Sequence, residues 1–458
     1  MRVTEVVARF AVAGAVSEDS APAIRSLIDT VGVAFGGRDA EATRAITAFA
    51  ETEPSAGRAV VWGAERECGP SQAALINGTA AHALDFDDAC PSMPLHPSTV
   101  LWPALLAVVD EHTDPARLVA AIEVGNTVMR ALGEVLPMDV HYGRGWHSTA
   151  TVGRVAAVAA LARLRGLSIE STRYALGAVA SMAGGSIANF GTATKPLHAG
   201  SAARDAVVAV GLVEAGLTAA VDQLEHPKGF LALFGDPDAA ALAALPERLD
   251  HWARHWSQDW SLKRYPCCYG THRAIDAVLE LRAEVVMRDI ETIAVHVHPG
   301  SVRPLIDHEP GTGSEGKFSL PFTVAHALRY GRLGIGGFTD AAVADAETRA
   351  LMRRVTVHPE PSPAGRPELA GRPYALVRLT TADGTARERL VTIARGDARN
   401  PLTDDEIADK FRSCVTARGR SAAAAESLLT QLREALSVPG ALAVACASLR
   451  GGETAAPI

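Results

Sequence analysis

No stretch of this chain holds eighteen uncharged apolar residues in a row, so no segment reads as a membrane-crossing helix. Runs of basic residues are missing too. With a formal net charge of -8 and no basic stretch interleaved with aromatics, a nucleic-acid partner is not expected. The six cysteines (Cys68, Cys90, Cys267, Cys268, Cys414, Cys446) form no C-x-x-C pair and no zinc-ligand spacing. Free thiols in a cytoplasmic protein without a metal site are the expectation. Aromatic residues make up only 5%, so the core must be largely aliphatic, and abundant alanine favours closely packed helices. The Ala/Val-rich N-terminus is interrupted by Thr4, Glu5 and Arg9, which reads as an amphipathic first helix rather than a signal peptide.

What is present is helix, then strand, then helix again. At 458 residues the chain exceeds what one core holds, and two domains are expected. From residue 1 to 255 apolar positions recur every three to four residues. Asp114-Pro115 starts a helix over 114–136, a second spans 148–165 and stops at Gly166, a third spans 169–182, and a fourth 199–219. Between the last two, GGSIANFGTATKPLH reads as a loop exposing Lys195 and His198. Beyond the tryptophans at 252, 256 and 260 the period becomes two: ETIAVHVHP, RRVTVHP, YALVRLTT and ARERLVTI are predicted strands, the last two joined by a hairpin at Asp383-Gly384. Helices at 272–287 and 321–330 intervene, so 256–400 is expected to be a smaller α+β lid domain. Thr403 and Glu406 form a capping box that restarts the helical pattern, and the tail 401–458 is expected to complete the helical domain of 1–255. The fold class is thus mainly α.

Chemistry concentrates first in 77–104, NGTAAHALDFDDACPSMPLHPSTVLWPA, where Asp85, Asp87, Asp88, His82 and His96 sit among small apolar residues. Charge in such a setting is costly unless paired, and the setting shifts pKa values toward acid/base use. A helix running on from Ser71 would put Asp85 and Asp88 on one face. Asp87 and Asp88 are expected to cap or end that helix, and His82 to be a core histidine. His147 in GWHSTATVG precedes a helix start, where free backbone N–H groups favour an anion. In TKPLHAG, Lys195 is a candidate carboxylate contact, preferred over His198.

These blocks, together with HPS, LKRYPCCYGTHRAID and EGKFSLPFTVAHAL, resemble in order and over roughly 77–327 the MmgE/PrpD family, which includes 2-methylcitrate dehydratase, cis-aconitate decarboxylase and iminodisuccinate epimerase. The resemblance implies a large helical domain with a small lid, a homodimer, and metal-independent, cofactor-free chemistry on a small polycarboxylate. It implies Asp85, His96, His147, Lys195 and His272 as catalytic residues, with Lys195, His272, Lys317, Arg264 and Ala89 near the substrate. Lys263 joins Arg264 as an anion contact, Arg303 and His308 are weaker candidates, and Cys267-Cys268 reads as packing. Where the family pattern has a threonine after DFDD, this chain has Ala89, followed by a proline-containing insert, CPSMPL, before His96.

The expected activity is a metal-independent lyase, foremost a carbon–oxygen lyase, removing water or carbon dioxide from a di- or tricarboxylic acid after proton abstraction beside a carboxylate. The alternative is an isomerase or epimerase with the same acid/base site. A catalytically silent binding protein is the third reading.

Overall fold

Alanine-dense helices meet at close range, and that decides the architecture. The computed structural model describes residues 2–451 and is 58% helix and 8% strand, mainly α as expected. Met1 and residues 452–458, the outer ends assigned to the helical unit, lie outside the described residues. No helix among the described residues is long and apolar enough to cross a membrane.

One aliphatic core unites residues from Val3 to Leu262 with residues from Leu402 to Leu449. Its centre is an antiparallel pair, Pro70–Ala83 against Thr194–Glu214. The two cross at Gly78 and Gly200: a Cβ on Gly78 would stand 2.8 Å from the Gly200 Cα, and one on Gly200 would stand 2.3 Å from the Leu75 carbonyl oxygen. Only glycine permits that approach. The crossing sets the C-terminal end of the first helix beside the N-terminal end of the second, and the candidate site lies there. Helices Pro115–Val135 and Ser148–Arg165 pack alongside, with bounds close to those the sequence predicts. Among the described residues predicted to be all-helical there is one strand pair, the two-residue Ala59–Val60 with Glu67–Cys68.

Two of the boundaries that differ from expectation position the site. The helix predicted over 199–219 begins at Thr194 and ends at Glu214. Pro196 lies in its first turn, where no backbone N–H needs an intrahelical acceptor, so proline does not oppose helix. Lys195 and His198 are therefore buried rather than exposed in a loop. Conversely, the helix expected to run through residue 88 ends at Ala83, and Asp85 takes a left-handed backbone with φ of 50°.

A second core runs from Tyr265 to Leu379. Four strands lie in the order Val355–Pro359, Ile290–Val297, Ala375–Thr381, Ala386–Val391; the first pair is parallel and the others antiparallel. Ile293, Val295 and Val297 face inward at the predicted period of two, under helices His272–Leu281 and Leu320–Tyr330. The tail helix Asp404–Thr416 keeps its capping box and packs on Ala21–Gly36, where Lys410 pairs with Asp29 at 2.6 Å.

Candidate active site

The turn that follows Ala83 sends its three carboxylates in three directions. Asp85 meets two buried ammonium groups, Lys195, with which it forms an ion pair, and Lys263, at 3.1 Å. Burial alone would raise its pKa, but these two lysines outweigh it and hold the carboxyl well below the usual range. Lys263 also donates to the Asp85 carbonyl at 2.9 Å, which helps fix the left-handed turn. Asp87 accepts from His82 Nδ1 at 2.8 Å and lies 3.3 Å from His96 Nδ1. It is an orienting carboxylate rather than the helix cap expected from the sequence. Asp88 accepts from the Ser98 backbone N–H at 3.1 Å and from Trp260 Nε1 at 2.8 Å, so it anchors the start of the next helix rather than sharing a face with Asp85.

The imidazoles are placed with equal definition. His96 Nδ1 has two acceptors, the Asp88 carbonyl at 2.8 Å and Asp87, so that nitrogen keeps its proton and Nε2 is left to exchange one. Burial pushes His82 down to about 4, so it serves Asp87 as a neutral donor. His147 immediately precedes the Ser148–Arg165 helix without a side-chain capping bond; burial and then His82 and Lys195 push its pKa far down, and its Nδ1 lies 3.2 Å from His198 Nδ1. Burial and neighbouring Arg154 bring His198 to about 4. These two rings form a hydrogen-bonded neutral pair. The ammonium of Lys195 stands 5.1 Å from the Phe190 ring centre and 4.9 Å from that of Phe318, both within cation–π range.

These groups open onto one cavity of about 360 Å³ between the two cores. Asp85, His96, His147 and Lys195 line it from the helical side, and Ala89 stands in its wall. Ala89 and Ser261 exchange backbone hydrogen bonds of 2.9 Å, so the lost hydroxyl leaves the backbone held. The insert supplies Cys90, Pro91, Ser92, Met93 and Pro94 as a second wall, tied down where Asp259 accepts from Ser92 N–H and Oγ at 3.0 and 2.7 Å.

Three residues expected near substrate do not reach this cavity. His272 turns its ring back onto the Cys267 carbonyl, 3.2 Å from Nε2, and burial drives it down to about 3. Cys268 and Tyr269 stand in the wall instead. Arg264 is exposed, with its guanidinium 5.8 Å from the Tyr265 ring centre. Lys317 donates to the Ala83 carbonyl at 2.8 Å, closing the end of the Pro70–Ala83 helix, and burial lowers it to about 8. It borders a separate cavity of about 180 Å³ on the far side of the Lys195–Asp85 pair. His308 borders yet another hollow, whereas Arg303 does line the main cavity.

Three further contributors are weakly marked in the sequence. His198 sits three residues after Lys195 on the same helical face, a spacing that signals its place once the helix is known to start at Thr194. Lys263 was visible only beside Arg264. Lys410 bonds the Phe86 carbonyl at 2.7 Å and the Lys263 carbonyl at 2.9 Å, bracing the site from the tail, and nothing local in the sequence signals that. Among the described residues, His82, Asp87 and His96 bring metal-ligand atoms within 4.8 Å of one another. Those atoms are engaged with each other, in the pattern of a carboxylate holding two imidazoles.

The fold and site together define a two-part, mainly helical protein with a cavity at the seam that is lined by histidines, a lysine and arginines. The chain belongs to the MmgE/PrpD family: the model of the MmgE/PrpD N-terminal domain matches residues 2–243 and that of the C-terminal domain residues 265–434. It is 28% identical over 406 residues to cis-aconitate decarboxylase of Mus musculus, covering 85% of this chain and 81% of that one. The Homo sapiens enzyme of the same name is 26% identical over 408 residues, covering 85% and 82%. That of Aspergillus terreus is 25% identical over 387 residues, covering 79% and 77%.

Proposed function

We propose that this chain is a metal-independent lyase of a small di- or tricarboxylic acid, and that it removes carbon dioxide rather than water. The observation that carries the reading is a pair of ammonium groups on one carboxylate, beside a histidine whose Nε2 has no hydrogen-bond partner among the described residues. Two ammonium groups, Lys195 and Lys263, face the single carboxylate of Asp85, and His96 presents Nε2 to the same cavity. In a protein of net charge -8, a cationic pocket favours an anionic ligand. The relatives' names favour decarboxylation over the dehydration expected from sequence.

For an unsaturated tricarboxylate such as cis-aconitate, the bond between the departing carboxylate and its CH₂ carbon breaks. Its electron pair forms a new alkene to the central carbon. The old alkene pair moves to the far carbon, which takes a proton. One carbon dioxide leaves and one proton enters. In this reading Lys195 holds a retained carboxylate and offsets the charge developing beside it, while His96 Nε2 delivers the proton. Asp87 and the Asp88 carbonyl keep the His96 ring in the required tautomer. His147, with His198 hydrogen-bonded to it, lines the same side as a neutral group.

Incubation with cis-aconitate in deuterated water tests this. The expected result is carbon dioxide in equal amount to a product carrying one deuterium at carbon, with His96→Gln reducing the rate by about 10²–10⁴-fold. Water loss from a hydroxy acid would replace decarboxylation with dehydration. Deuterium exchange without loss of mass would favour the isomerase alternative. No turnover across a panel of polycarboxylates would leave a binding protein.

A further inference from the structure

The same cavity has a second wall whose charges the proposed chemistry does not use. Helix His272–Leu281 carries Arg273 to it, and the chain leaving strand Ile290–Val297 adds His298 and Arg303. Arg273 is only 4% exposed; its Nε donates to the Thr392 carbonyl at 3.0 Å, and its guanidinium stands 5.5 Å from the Tyr269 ring centre. The acids whose field reaches it are engaged elsewhere. Asp397 is bonded by Arg399 at 2.9 Å, and Asp276 accepts from Tyr265 and from the Arg395 backbone N–H, both at 2.7 Å. Arg303 stands exposed at the mouth, with no ion pair among the described residues.

His298 joins them. Its Nδ1 accepts from the Gly300 N–H at 3.1 Å, so the neutral ring carries its proton on Nε2. Burial and then the fields of Arg303 and Arg273 lower its pKa, which places both guanidinium groups within electrostatic reach of one ring. The arrangement is also rigid: a Cβ on Gly270 would stand 2.2 Å from the Ser301 carbonyl oxygen, so the two segments touch backbone to backbone. One exposed carboxylate, Asp139, borders the same opening and opposes an anion there. Two guanidinium groups outnumber it. A buried cation without a protein carboxylate carries a desolvation cost that a ligand carboxylate can offset.

We propose that Arg273 and Arg303, with the Nε2–H of His298, form a carboxylate-binding subsite on the α+β wall, so that the substrate is a polycarboxylate held at both ends. The proposal rests on the lyase reading, because it places the reacting end of the ligand at His96 and Lys195. A volume of about 360 Å³, at the low end of the roughly 300–1,000 Å³ typical of ligand pockets, suits a compact acid spanning both walls. The subsite would select acids that carry a further carboxylate beyond the reacting part.

The test is calorimetric binding of two inert acids, tricarballylate and methylsuccinate, which differ by one carboxylate. Wild type is expected to hold tricarballylate more tightly. Arg303→Gln and Arg273→Gln should each weaken tricarballylate by about ten- to a hundred-fold while leaving methylsuccinate unchanged. Arg303 is exposed and bears no fold contact, so its variant reads the subsite even if Arg273→Gln fails to fold. Unchanged tricarballylate binding in Arg303→Gln, or equal weakening of both acids, would overturn the subsite. If decarboxylation proceeds with its KM untouched by Arg303→Gln, the lyase reading stands and the subsite falls. If no acid is turned over but tricarballylate binding still depends on Arg303, the subsite stands and the lyase reading falls.

Discussion

The two walls of the cavity handle charge in opposite ways. On the helical wall the buried ionised groups have protein partners, Asp85 with Lys195 and Lys263, Asp87 with His82 and His96, and only the exposed Asp139 at the rim stands apart among the described residues. On the α+β wall the guanidinium groups of Arg273 and Arg303 form no ion pair among the described residues, and the acids nearest Arg273 are engaged elsewhere. The difference teaches what each wall is suited to. Groups fixed by their neighbours hold protonation state and tautomer for chemistry, whereas groups lacking a counterion are disposed to take one from a ligand. On the proposed reading, a single pocket thus divides into a part that reacts and a part that holds.

The comparison breaks most forcefully at Lys195. Lys195→Met leaves Asp85 buried with one cation fewer, and removing one partner of a buried pair typically costs about 3–5 kcal/mol. The expected outcome is a loss of turnover of about 10³-fold or more together with a clear fall in Tm, read by steady-state assay and calorimetry. Retained turnover would show that the helical wall is scaffolding.

A smaller effect sharpens the contrast inside the helical body. Glu123 is buried, accepts from Trp256 Nε1 at 2.6 Å, and is pushed up to about 7 by burial. A carboxyl whose folded pKa exceeds its unfolded value of 4.5 stabilises the fold fully below pH 4.5. That stability is lost as pH rises through about 7. Glu123→Gln keeps an acceptor for Trp256 and removes the ionisation. Its Tm relative to wild type should rise between pH 5 and pH 8, and a flat difference would mean that Glu123 is solvated. The smallest expected effect is none: exhaustive chelation should leave turnover unchanged. A loss restored by a divalent cation would put an ion among His82, Asp87 and His96.

The legibility of the sequence follows the range of the forces involved. The helices at Pro115–Val135 and Ser148–Arg165, the period-two strand Ile290–Val297 and the capping box at Thr403 were readable, because caps, turn residues and periodicity act over a few residues. The start at Thr194 was missed because Lys195-Pro196 looks like a loop when its packing is unseen. For the site, Asp85, His96, His147 and Lys195 line one cavity, while His272, Arg264 and Lys317 point elsewhere. Between Lys263 and Arg264 no local rule chooses which faces inward.

By itself, then, the sequence determined a mainly helical chain with an α+β unit, and it located the residue types that acid/base chemistry on an anion needs. Only the tertiary structure decided which acid meets which base. The turn at Asp85 separates three neighbouring carboxylates into three partnerships, and the partners come from residues 82, 96, 98, 195, 260 and 263. Electrostatic pairing depends on distance through space and on burial, and neither quantity is set by separation along the chain.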